Sequence, residues 1–226
     1  MTKPQFLQLF LILILISCRQ IKTENVVSKL VAINYNDSIF RYRSNYDTTL
    51  LSNWAITYLV KNDSTKYKDI YLKVKKQNDS SIYFLEDYLY FRDYFTPTYS
   101  NENDKFIFFE HGCATSCRAV LVFDKTTLKF TDFSQIIDYC VKTNKIVWVS
   151  NQELNDDQPF KVKITNLLKG KDTTISFNNL ALGTIKDSYI DSVNFKNKII
   201  TIYTTLIDKN DYYRTKEIKE TKVIRY

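Results

Sequence analysis

Asp104-Lys105-Phe106-Ile107-Phe108-Phe109 is a tight turn entering an apolar run, and the phrase returns twice: Asn144-Lys145 precedes Ile146-Val147-Trp148-Val149, and Asn197-Lys198 precedes Ile199-Ile200-Thr201-Ile202. The three turns stand 40 and 53 residues apart. Runs apolar at every position suit strands covered on both faces. Ala119 to Phe123 is a fourth such run, and the third extends from Ile199 to Tyr203.

Elsewhere the period is two. Ile70, Leu72 and Val74 alternate with Tyr71, Lys73 and Lys75, and Phe160, Val162 and Ile164 alternate with Lys161, Lys163 and Thr165, so each strand turns one face inward. Between the strands lie Asn36-Asp37, Asn62 to Ser64, Asn78 to Ser80, Asn101 to Asp104, Asn155 to Asp157 and Asp208 to Asp211. Asn and Asp tolerate left-handed backbone and bond their own amides, which suits a chain with only three glycines. Two segments also admit a helix: Ile82 to Tyr94, where Leu85, Tyr88, Leu89 and Arg92 form a face, and Ser134 to Tyr139.

The expectation is a mainly β fold, an antiparallel meander whose recurrence near 40 to 50 residues makes it propeller-like. A β-sandwich, a barrel and an α+β fold are the alternatives. Pro97 to Ile107 is similar to the repeat phrase of periplasmic Tol-system propellers, and Val122-Phe123-Asp124-Lys125-Thr126-Thr127 resembles their hairpin. This chain departs from that phrase by an extra turn residue and the lack of Gly in it.

The N-terminus carries an address. Lys3 precedes an apolar run from Phe6 to Ile16 interrupted only by Gln8, too short for the roughly 20 residues of a membrane span and followed by the small residue Ser17. Leu15-Ile16-Ser17-Cys18 resembles the lipobox of bacterial lipoproteins. The resemblance implies that residues 1–17 are a signal peptide, that Cys18 receives a diacylglycerol, and that the new N-terminus is acylated, for example with palmitate. These covalent lipids would be the protein's only attached groups and would anchor it to a membrane. Residues 18–26 then read as the lipidated cysteine and a polar tether, and residues 27–226 as one β-rich domain. The tether lacks the acidic run of some surface-exported lipoproteins, which sets the expected location as the cell envelope, at the outer membrane facing the periplasm.

Removal of residues 1–17 leaves 209 residues and lowers the net charge from +7 to +6. That charge is scattered among Asn, Ile, Tyr and Phe, the composition of an AT-rich coding sequence, and the exported address argues against nucleic acid as a partner. The expected partner is a protein or glycan.

Glu110-His111-Gly112-Cys113-Ala114-Thr115-Ser116-Cys117 holds the only histidine and two of the three cysteines left after Cys18 is lipidated. In an oxidising compartment Cys113 and Cys117 are candidates for a structural disulfide, with Cys140 left over or itself the partner of one of them. His111, Cys113 and Cys117 are the candidates for a soft-metal site or thiol redox chemistry. The Cys-x-x-x-Cys spacing resembles copper-delivery proteins of oxidase assembly, but the downstream histidine of that family is missing. The phrase is also similar to uncharacterised exported proteins of Gram-negative bacteria, in which Ala114 is commonly Gly; that resemblance covers residues 96–150 and implies no activity.

No catalytic residue stands out. The 25 carboxylates, Glu86, Asp87, Glu110 and Asp124 among them, give chance pairs, and there is no Gly-x-Ser-x-Gly elbow or phosphate-binding glycine loop. Trp54 and Trp148 suit either a glycan surface or buried strands. The functional expectation is a membrane-anchored binding or envelope-assembly module, with a small metal-carrying or thiol-redox protein as the alternative.

Overall fold

A computed structural model of the protein describes residues 30–36, 44–61, 69–87, 93–114, 117–149, 159–181 and 189–226. Cys18, the signal segment and the tether lie outside them. The described residues form sixteen strands and almost no helix. The first sheet contains β1 (Leu30–Ala32), β2 (Thr48–Thr49), β3 (Ala55–Lys61), β4 (Asp69–Lys76) and β5 (Asp79–Asp87), in the order β1-β3-β4-β5 with β2 also pairing β3. The second contains β6 (Thr98–Glu102), β7 (Phe106–Ala114), β8 (Cys117–Asp124) and β9 (Lys129–Ser134). The third contains β10 (Ile136–Cys140), β11 (Lys145–Trp148), β12 (Lys161–Asn166) and β13 (Lys171–Ser176). The fourth contains β14 (Ile190–Lys196), β15 (Ile199–Ile207) and β16 (Glu217–Arg225). Every pairing is antiparallel and each sheet is built from neighbouring strands, which is the expected meander.

The fully apolar runs explain how the sheets meet. Successive residues of a strand point to opposite faces, so Ile107, Phe109, Leu121 and Phe123 of the second sheet pack on Ile56, Tyr58, Ile70 and Leu72 of the first. Their neighbours Phe106, Phe108, Val120 and Val122 pack on Ile136 and Ile146 of the third. Val147 and Val149, on the far side of the third sheet, join Val162, Ile164, Ile200, Ile202 and Leu206 in the core shared with the fourth. Each such side chain removed from water contributes about 1.5–3 kcal/mol. The sheets therefore stack face to face in chain order. Among the described residues no hydrophobic cluster joins the fourth sheet to the first, and the strands are not closed into a barrel.

Two expectations are corrected. Ile199 to Tyr203 is covered on one face only: Ile200 and Ile202 are buried, while Tyr203 is 42% exposed on the outer side of the last sheet. Where they are described, the helix candidates are almost entirely strand, and among the described residues nothing favours the α+β alternative. Ile82 and Tyr83 pair with Lys73 and Leu72 in β5, and Ile136 to Cys140 pairs with β11. Tyr88 to Arg92 lies outside the described residues, and Asp93–Phe95 is a single 3-10 turn.

The turns use the side chains expected of them, though not always at the left-handed position. Asp124 accepts the Thr126 amide at 2.8 Å and the Thr127 amide at 3.2 Å, while Leu128 takes φ 57°. Asn144 and Asn197 have φ 55° and 48°, but Gln77 and Lys198 are left-handed as well. Asn103 ties the second and third sheets together at one end. Its Nδ2 donates to Val141 O and Asn144 Oδ1, each at 2.8 Å, and its Oδ1 accepts the Lys105 and Phe106 amides at 2.9 Å.

Candidate functional site

The Glu110 to Cys117 stretch is the tip of the β7–β8 hairpin. Gly112 pairs with Arg118 and Ala114 with Cys117, so Cys113 is an extra residue in a bulge. The bulge turns its side chain across the hairpin, and the Cys113 and Cys117 sulfurs lie at disulfide-bonding distance with Cα atoms 5.4 Å apart. Cys140, at the end of β10, takes no part in this pairing and is a free cysteine.

Gly112 is required by close approach. The Tyr94 ring lies where a Cβ at position 112 would stand, and the Tyr94 hydroxyl donates to Cys117 O at 3.0 Å. A cleft of about 200 Å³ on one side of the tip is lined by Tyr83, Phe95, His111, Cys113 and Asp132. A second, of about 210 Å³, lies on the other side between Tyr94, Glu110 and Arg118. Both are smaller than the usual 300–1,000 Å³ of small-molecule pockets.

His111 Nδ1 lies 2.9 Å from Gly112 O, and its Nε2 lies 3.2 Å from Asp132 Oδ1. Both ring nitrogens thus face oxygen acceptors, and a metal would need one of them turned away with a lone pair exposed. The structure brings His111, Cys113 and Cys117 to one hairpin tip, but the two sulfurs face each other. Among the described residues no group of three or more His, Cys, Asp and Glu side chains converges as a metal site. What the tip offers chemically is a thiol pair that can be opened by reduction and a histidine oriented by a carboxylate.

Glu110 anchors the other side. Its Oε1 accepts the Tyr139 hydroxyl at 2.6 Å and the Ser100 hydroxyl at 3.1 Å, and Arg118 approaches its Oε2 at 3.6 Å. Burial, and then the bond to Glu110, push the Tyr139 phenol up to about 12. The tryptophans serve the interior. Trp54 is buried edge-on against Phe123 at 5.3 Å, and half-buried Trp148 donates to Thr165 Oγ1 at 2.8 Å.

A second feature escaped the sequence reading, which took Asp208 to Asp211 only as a turn. The loop joining β15 and β16 is cross-braced by its acids. Asp211 Oδ2 accepts the Thr215 and Lys216 amides at 2.7 and 2.8 Å, and Asp208 Oδ2 pairs with Lys216 Nζ at 3.0 Å. Backbone hydrogen bonds hold the Asp208 carboxyl below the usual carboxylate range with help from Lys216, and backbone bonds from Lys216 and Thr215 do the same for Asp211. At the crest of this braced loop Tyr212 and Tyr213 stand 90% and 80% exposed, with ring centroids 5.3 Å apart. The available signal was a tyrosine pair inside an Asp-rich turn, where no inward face exists to bury it.

No protein-family model matches the chain, and neither curated proteins nor solved structures provide a match.

Proposed function

We propose that this protein is a lipid-anchored exported lipoprotein whose β domain binds a protein or glycan partner in the cell envelope. The address rests on Leu15-Ile16-Ser17-Cys18 and the apolar segment before it. Diacylglycerol on Cys18 and an acyl chain on its amine would hold the chain at the outer membrane, facing the periplasm. The binding role rests on the β15–β16 loop. Exposed tyrosine rings lose little conformational freedom on docking and supply a large contact area, and a loop held by its own carboxylates needs no ordering when the partner arrives.

Two measurements test this reading. Radiolabelled palmitate should enter the wild-type chain and not Cys18→Ser, which should leave the membrane fraction. A photo-crosslinking residue at position 213 should give one discrete envelope adduct that the same residue at position 73, on the outer face of the first sheet, does not give. Label in Cys18→Ser would overturn the anchor, and identical behaviour at positions 213 and 73 would overturn the binding surface.

A further inference from the structure

A wider cleft than either at the hairpin tip lies at the end of the third and fourth sheets, where three turns converge. It encloses about 750 Å³, within the range of ligand pockets. Lys142 lies in the β10–β11 turn and Lys145 opens β11, Lys169 lies in the β12–β13 turn, and Lys196 and Lys198 lie at the β14–β15 turn. These five lysines line one cavity, and no Asp or Glu side chain lines it. None of the five is ion-paired among the described residues. Phe195, Leu168 and the Tyr226 ring form the apolar part of the wall.

Lys145 sets this cleft apart from a surface rich in lysine. It is only 5% exposed, and its ammonium sits 4.2 Å from the centroid of the Tyr226 ring. Burial, and then the Lys169 charge, push Lys145 below the ordinary lysine range. The residue is packed in, its ammonium reaches the cleft partly desolvated, and the Tyr226 ring face compensates for only part of the hydration it gives up. An anion entering the cleft would complete that compensation and relieve the repulsion among the five cations. Lys198 points the same way. It occupies φ 62° beside Asn197 at 48° in a two-residue hairpin turn, where glycine is the preferred second residue.

We propose that this cleft binds a phosphate-bearing ligand of two or more negative charges, with Lys145, Lys169 and Lys198 meeting the phosphates and Tyr226 and Phe195 meeting an attached apolar part. The proposal is independent of the Tyr212-Tyr213 surface, and either can fail alone. It is tested by calorimetric titration of the full mature chain in neutral detergent with inorganic pyrophosphate and, separately, with a short-chain phosphatidic acid. Binding of at least one probe is expected, weakening as salt is raised. Lys145→Met and Lys198→Gly should each weaken it tenfold or more, whereas Lys73→Met on the outer face of the first sheet should leave it unchanged. Lys198→Gly suits the φ of its position, so its loss of binding cannot be ascribed to misfolding. Phosphatidic acid binding alone would identify a lipid headgroup as the source, and equal binding of both would show that the phosphates suffice. No binding of either probe, or binding indifferent to both cleft substitutions, would overturn the proposal.

Discussion

Phe108 and Phe109 are adjacent in β7 and both wholly buried, one facing the third sheet and the other the first. An ordinary half-covered strand would make one substitution costly and its neighbour cheap. Here both should be costly. Truncating a fully buried Phe to Ala costs about 3–5 kcal/mol through lost transfer and a residual cavity. Phe108 is also stacked on Tyr139 at 5.3 Å and 14°, and such pairs add roughly 0.5–1.5 kcal/mol. With a urea dependence of about 2 kcal/mol per molar, each midpoint should fall by about 1.5–2.5 M. The control is the matching pair in β15. Ile202→Ala should cost about 2–4 kcal/mol, whereas Tyr203→Ala on the outer face should stay within about 1 kcal/mol of wild type. Urea unfolding at pH 7, followed by far-ultraviolet circular dichroism, measures all four. A Phe108→Ala protein within about 1 kcal/mol of wild type would refute the contact between second and third sheets, and the same result for Phe109→Ala would refute the contact between first and second.

Further consequences follow from single groups. Gly112→Ala places a methyl in the Tyr94 ring and should cost about 1–3 kcal/mol, with the loss cut sharply by Tyr94→Ala in the same chain; thermal unfolding of the single and double variants measures this. Burial opposes the charge on Glu102, yet the bonds from Lys125 and Ser52 outweigh it and hold the carboxyl below its usual range. Lys125→Met should therefore destabilise by about 1–3 kcal/mol, while Lys125→Met with Glu102→Gln should recover much of it; chemical denaturation of both variants checks the expectation. For Asp208 and Asp211 the folded pKa is depressed, so their contribution is present above the unfolded carboxylate range near pH 4 and is lost as pH falls through the lower folded values. Protection of the Thr215 and Lys216 amides against hydrogen exchange, taken relative to the intrinsic rate at each pH, should fall across that window in wild type and already be low at pH 7 in Asp211→Asn.

The strands were legible because hydropathy reports coverage. Phe106 to Phe109 and Ala119 to Phe123 are apolar at every position and do lie between two sheets, and Ile70, Leu72 and Val74 alternate with polar residues and do face one. Ile199 to Tyr203 misled for a physical reason: Tyr203 places an amphipathic ring on an outer face, which water tolerates and a hydropathy pattern does not distinguish from burial. Ile82 to Asp87, the start of a segment with helical spacing, is a strand because a short apolar run carries no decisive period and the backbone partners offered by β4 decide it. The hairpin tip was visible since Cys113 and Cys117 are local in sequence. The lysine cleft was not, because its cations come from turns between residues 142 and 198 and only the stacking of two sheets brings them together.

The most direct test of the central claim is the intact mass of the protein purified from membranes under metal-preserving conditions, with thiols counted before and after reduction. The expected result is a chain beginning at Cys18, carrying a diacylglycerol and an acyl group, with Cys140 as its only reactive thiol until reduction exposes Cys113 and Cys117. An unacylated chain retaining residues 1–17 would contradict the anchor. Reactive Cys113 and Cys117 before reduction, or a bound copper or zinc, would contradict the closed hairpin tip and turn attention to His111 and its two neighbouring thiols.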